Sequence, residues 1–197
     1  MKNQSSIILK ITFFKQLRSI FPFLVFFCSF TGAFYYYFKG VNLFDGEKGF
    51  VIIMLFVIAM LAYMTLPALF FHIDYLIRNR HEEYEIGNNM IIRRNNGVET
   101  VYSFEEIDDV CLYLFPTKFR DDFRLLAWDN YHFAKIVMKS GEELYLTSLL
   151  YPSGIDVVFK RYLKGMSYLS EKRWFPTTLV NYPLDKEYNV IDMEPRR

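Results

Sequence analysis

The residues able to do acid–base or metal chemistry are few and scattered. The three histidines are His72, His81 and His132. His81 precedes Glu82 and Glu83, which could offer metal ligands, but successive side chains on a strand point to opposite faces. No second His or Cys cluster completes a coordination set. His72 and Asp74 follow a long uncharged run as a polar fringe. His132 alternates with Phe133 in a predicted strand, at a surface or half-buried position. Glu105, Glu106, Asp108 and Asp109 form one acidic run, and Asp121 and Asp122 another. Paired carboxylates can act as acid and base or hold a cation; solvated loops are the plainer reading. There is no Gly-rich phosphate loop, no nucleophile elbow and no Cys–His motif. Cys28 lies in an apolar run and Cys111 in a predicted strand, too distant in setting for a disulfide. Each reads as a small apolar filler. The sequence therefore predicts no catalytic residue, no metal and no cofactor, in a protein that is not an enzyme.

Cations offer the remaining chemistry. Arg93 and Arg94 precede the turn Asn95-Asn96, and Lys118 and Arg120 follow Pro116. Basic loops of this kind can contact lipid phosphates or a partner. Against that, residues 78–165 hold 12 Lys and Arg against 14 Asp and Glu, a net charge of −2. The whole chain carries +1, so no global field suits nucleic acid, and nucleic-acid binding is excluded.

The elements that position these residues begin with two apolar runs. Ile20–Phe38 is 19 residues and Phe50–Phe71 is 22, neither containing a charge. At about 1.5 Å per residue each crosses a hydrocarbon layer of about 30 Å. The first run exceeds a signal-peptide core of about 7–15 residues and has no small-x-small cleavage site, so a retained helix is expected. The link Lys39–Gly49 is 11 residues, short enough to force an antiparallel hairpin. Cys28, Ser29, Gly32 and Ala33 on the first helix, with Ala59 and Ala62 on the second, are small residues that let a neighbouring helix approach closely, within the hairpin or from another chain. Lys2, Lys10, Lys15 and Arg18 precede the first run and Arg78 and Arg80 follow the second. This excess predicts both termini on the cytoplasmic side. Residues 7–19 are expected as an interfacial helix leading into the span.

From His81 the texture changes to short apolar stretches separated by turns. Strands are predicted at Glu82–Ile86, Met90–Arg94, Val98–Phe104, Ile107–Phe115, Phe123–Trp128, Tyr131–Lys139 and Glu142–Leu149. Asn95-Asn96-Gly97 and Ser140-Gly141 supply hairpin turns. A period of 3.6 then sets in: Ile155, Val158, Phe159, Tyr162 and Leu163 line one face, with Lys160, Arg161 and Lys164 opposite. Ser153 with Asp156 predicts an N-terminal cap and Gly165 a stop.

Seven short strands closed by one amphipathic helix is the element order of the pleckstrin-homology (PH) superfold. A membrane hairpin followed by such a domain resembles the bacterial membrane-anchored PH-like proteins of the YcxB-like type. Phe104-Glu105-Glu106-Ile107 resembles that family's aromatic-x-x-Ile step between early strands. Tyr145-Leu146-Thr147 through Tyr151-Pro152 resembles the last strand running into a proline before the helix. The expected organisation is a basic segment over 1–19, a transmembrane hairpin over 20–76, a cytoplasmic PH-like β domain over 77–165 and a C-terminal extension over 166–197. The expected class is α+β, with seven antiparallel strands in two sheets and one closing helix. The expected role is a multi-pass inner-membrane interaction module that binds a protein partner or a second copy. The alternatives are a lipid-headgroup sensor using Arg93, Arg94, Lys118 and Arg120, or an accessory subunit of a larger complex such as a transporter.

Overall fold

Apolar side chains at every second position make a strand of the chain's first described segment. β1 (Ile7–Lys10) turns Ile7 and Leu9 inward and Ile8 and Lys10 outward, and Leu9 is fully buried. The computed structural model describes residues 6–39, 47–87, 89–119, 127–151, 153–163, 168–180 and 190–191. The interfacial helix expected over 7–19 is thus corrected for Ile7–Lys10. A period of two lets these four residues pair with a partner strand, and helix begins only at α1 (Phe13–Lys39). α2 (Glu47–Asn79) follows, with Pro67 inside it.

β2 (Glu82–Gly87), β3 (Met90–Asn95) and β4 (Val98–Ser103) form an antiparallel meander, and β1 adds itself to the free side of β2, giving the order β1-β2-β3-β4. Leu9 stands opposite Tyr84 and Ile7 opposite Ile86. Gly87 lets the chain before β1 pass, because a Cβ there would lie 2.7 Å from the Ser6 Cα. The β3–β4 turn is Asn96-Gly97, with φ of 49° and 82°, the two positive values that a two-residue hairpin requires.

A single 3₁₀ turn, Phe104–Glu106, leads to the second sheet. Ser103 caps it through its side chain while the Glu106 carboxylate accepts from the Ser103 N–H at 2.7 Å. Part of the acidic run is therefore a capping box. β5 (Ile107–Leu114), a short helix α3 (Pro116–Phe119), β6 (Phe133–Met138) and β7 (Glu143–Thr147) follow. α4 (Ile155–Tyr162) then leads to β8 (Tyr168–Lys172) and β9 (Val190–Ile191). The sheet order is β7-β6-β5-β8-β9, and β8 runs parallel to β5. The C-terminal extension thus contributes strands. Of the predicted strand Phe123–Trp128, residues 123–126 lie outside the described residues, and Ala127–Asn130 is a 3₁₀ turn. The first sheet is completed by β1, which was not predicted as a strand.

Two cores result. Between the sheets, Leu9, Tyr84, Ile91, Leu112, Ile136 and Leu146 meet Ile155, Val158 and Phe159 of α4. On the far side of the second sheet, α2 lays Ala68, Phe71 and Tyr75 against an aromatic layer containing Tyr113, Phe133, Tyr145, Trp128 and Tyr131. Tyr113 and Phe133 stack at 4.7 Å, and Tyr75 meets Phe133 edge-on at 6.1 Å. Buried positions Leu61, Ala68, Phe71, His72, Tyr75 and Asn79 trace one stripe along α2, each lying three, four or seven residues from another of the set as a helix face requires. This part of the helix belongs to the domain.

Candidate functional site

Arg93 and Arg94 lie within β3, paired in register with Thr100 and Glu99, rather than at a hairpin tip. Their positive charge is met locally. Arg93 donates to Glu82 at 2.5 Å and to Glu142 at 2.9 Å. Arg94 bridges Glu99 at 2.8 Å, Glu85 at 3.0 Å and Glu83 at 3.2 Å. Burial works against the Arg93 cation, but the hydrogen bond and charge of Glu82 outweigh it, so its pKa is raised. Glutamates facing β3 thus cancel the charge that the sequence offers to phosphates.

Lys118 is also engaged. Its ammonium donates to His132 Nε2 at 2.8 Å and lies 3.2 Å from an Asp156 carboxylate oxygen. His132 is almost fully buried, not at the expected half-exposed position. Its Nδ1 is 2.7 Å from the Asn130 carbonyl and its Nε2 accepts the Ile155 N–H at 3.2 Å; the carbonyl fixes the proton on Nδ1. Burial pushes the Asp156 carboxyl up and the Lys118 charge beside it pulls it down, and the charge wins, so it stays below the usual range. The expected Ser153–Asp156 cap is accordingly absent: Gly154 is the N-cap, without a side-chain hydrogen bond, and Asp156 turns to Lys118. The knot joins α3, the start of β6 and the start of α4. Arg120 lies outside the described residues. Since three of the four cations are compensated, Arg93→Ala with Arg94→Ala should leave unchanged the ratio of anionic to neutral phospholipid that copurifies with the full chain. A marked fall in anionic lipid would instead assign these arginines to headgroup contact.

The polar residues at the end of α2 do more than fringe an apolar run. His72 Nδ1 is 3.1 Å from the Tyr131 hydroxyl. Buried Asp74 accepts from the Thr177 hydroxyl and the Thr178 N–H, both at 2.8 Å, and from the Thr178 hydroxyl at 2.5 Å. The Tyr75 hydroxyl donates to the Pro176 carbonyl at 2.6 Å. Asn79 donates to Glu82 at 2.7 Å and to the Tyr145 carbonyl at 2.8 Å, and accepts the Thr147 N–H at 3.2 Å. These contacts weld α2 to the second sheet and to the C-terminal extension. Sequence reading missed Asp74, Thr177 and Thr178 as a unit. The only signal was a carboxylate three residues after the uncharged run. Of the small residues expected to pack helix against helix, Cys28, Ser29, Gly32, Ala33 and Ala59 are exposed, and Ala62 is half-buried. A Cβ at Gly32 would meet no atom within 4 Å.

Chemically the arrangement is closed. Among the described residues no three His, Cys, Asp or Glu side chains are grouped to hold a metal ion. Burial pushes the Cys111 thiol up to about 11, which keeps it a poor nucleophile. What stays open is surface: the outer face of α2, and the apolar side chains of the extension clamped against it.

No curated protein and no solved structure matches the chain. A family profile described as PH domain matches residues 8–155, starting inside β1, running through both long helices and ending at the first residue of α4. That extent takes in the first sheet and β5, β6 and β7 of the second, and stops where α4 begins; the fold is one of general interaction modules. The chain belongs to the PH domain family.

Proposed function

We propose that this chain is a membrane-anchored, non-catalytic interaction module of the YcxB-like type. Its two long helices cross the plasma membrane as a hairpin and hold the PH domain at the cytoplasmic face, where it engages a protein partner. The observation that carries the reading is the pairing of β1 with β2. The chain leaves one sheet after Lys10 and re-enters it at Glu82. Between these points lie helices of 27 and 33 residues, about 40 and 50 Å long at 1.5 Å per residue. An excursion that returns to the same sheet crosses a bilayer an even number of times. Leu55–Asn79 is long and apolar enough to cross, with mean hydropathy 2.0. Its outward side chains Leu55, Phe56, Ile58, Leu66 and Leu69 are exposed, a load that lipid covers and water does not. Basic residues flanking the helices also lie with the domain. Lys15 donates to the Leu150 carbonyl at 2.8 Å, and Arg78 lies 3.9 Å over the Tyr145 ring.

Anchoring raises the domain's effective concentration for partners confined to the same leaflet. The headgroup-sensing alternative loses its footing because Arg93, Arg94 and Lys118 face carboxylates. Thiol labelling tests the topology. With Cys28 and Cys111 replaced by alanine, Asn42→Cys, which lies outside the described residues, should react with a membrane-impermeant reagent in intact cells. Asn189→Cys, also outside them, should stay protected until lysis. The reverse pattern would overturn the orientation, and labelling of both sites in intact cells would remove the cytoplasmic domain.

A further inference from the structure

The segment Trp174–Val180 is held tightly yet turns its apolar side chains outward. Asp74 and Tyr75 fix its backbone and threonines, and Phe175 packs at 4.5 Å on Phe71 and 5.3 Å on Phe70. Trp174 is nevertheless 72 % exposed and Leu179 71 %, with Phe175 and Val180 about half exposed. A fold that uses a buried carboxylate to hold bare apolar side chains in place gains nothing from it in water. The patch continues, through Phe70, into the exposed face of α2 at Leu69 and Ile73.

Depth along α2 says what covers it. Starting at Phe50, where the uncharged run begins, a crossing of about 30 Å takes about 20 residues and ends near Leu69. Phe70 and Phe71, and with them Phe175, then lie about 2–3 Å past that end, at the edge of the headgroup layer where aromatic side chains concentrate. The domain reaches even further toward the bilayer, since Trp128 meets Tyr63 edge-on at 5.8 Å. We propose that Trp174–Val180 is an interfacial membrane platform, its aromatic and aliphatic side chains seated in the headgroup layer of the leaflet beside α2 and fixing the tilt of the PH domain against the bilayer. The proposal rests on the reading of α1 and α2 as a spanning hairpin. Its ligand is the lipid surface itself, engaged through apolar side chains and not through Arg93 and Arg94. Lys172, 6.0 Å above the Trp174 ring, brings a cation to the same level, as suits the phosphate layer.

Tryptophan quenching tests it. The chain has two tryptophans, so Trp128→Phe leaves Trp174 as the sole emitter and keeps an aromatic ring beside Tyr63. The full chain is placed in phosphatidylcholine vesicles containing lipid nitroxide-labelled either near the headgroup or at the acyl terminus. Trp174 should lose emission to the headgroup-proximal label, lose much less to the terminal one, and resist aqueous iodide. Emission quenched by iodide as freely as that of tryptophan in solution, or loss to the acyl-terminal label alone, overturns the platform. Should Trp128→Phe fail to assemble, Trp174→Phe in the otherwise unaltered chain reports by difference, since Trp128 remains: the emission lost to the headgroup-proximal label must be smaller than in the parent chain, and an unchanged loss overturns the assignment. Labelling at position 42 reports separately on the hairpin. Normal labelling with Trp174 free in water removes the platform and leaves the anchor. Failed labelling with Trp174 still quenched by lipid removes the crossing and leaves the platform.

Discussion

Phe159→Ala should lower the stability of the full chain by about 3–5 kcal/mol, whereas Lys160→Ala should change it by no more than about 0.5 kcal/mol. The two residues are neighbours on α4, so helix propensity differs little and burial decides the outcome. Phe159 is 1 % exposed and points between the sheets, with its ring edge-on to Tyr168 at 5.8 Å. Lys160 is exposed. Removing the ring empties a site walled by both sheets, and strands in register cannot close over the space, so cavity and transfer costs add. Urea midpoints for the two variants in the same detergent measure the difference. Equal midpoints would mean that α4 is not the plug of the inter-sheet core.

The full chain is needed for that measurement. A fragment beginning near Arg80 would lack β1, whose Leu9 is fully buried opposite Tyr84. It would also lack the α2 stripe that covers the aromatic layer of the second sheet. The segment holding α1 and α2 is therefore an insertion between β1 and β2, not an appendage in front of the domain. The boundary expected at residue 77 reflected the change of texture at His81, which marks where strands resume and not where the domain starts.

The strands from β2 to β7 were legible because they are local: alternation fixes each strand, and Asn96-Gly97 fixes a hairpin register without distant information. α4 was legible because its apolar stripe repeats at helical spacing. β1 was not. Its four residues merge into a longer apolar and basic stretch, and the partner that makes them a strand lies more than 70 positions away at Glu83–Ile86. β8 hid for another reason. Tyr168, Ser170 and Glu171 are all buried, so a strand covered on both faces shows no alternation to read. The basic residues were visible as charges but not as pairs. That Arg94 meets Glu83, Glu85 and Glu99 follows only from the register of three strands, and that Lys118 meets Asp156 follows only from how α4 docks.

Asp74→Ala should cost about 3 kcal/mol or more, and the loss should be local before it is global. A charged acceptor holding two hydroxyls and one N–H contributes about 1.5–3 kcal/mol per hydrogen bond against water, and water entering the vacated site restores only part of it. Asp74 is 4 % exposed and Thr177 5 %, so their partners are replaced poorly. The segment released first is Trp174–Val180, since Asp74 and the Tyr75–Pro176 bond supply its polar attachment to α2. Amide exchange at Thr178 should accelerate, and protease should cut within 174–180, while the β2–β4 meander keeps its protection. Asp74→Asn retains an acceptor of the same shape without the charge and should fall between the parent and the alanine variant. On the proposed seating of this segment in lipid, freeing it should also return Trp174 to water. Unaltered Thr178 exchange in Asp74→Ala would show that the aromatic contacts of Phe175 alone hold the extension and that the buried carboxylate serves some other end.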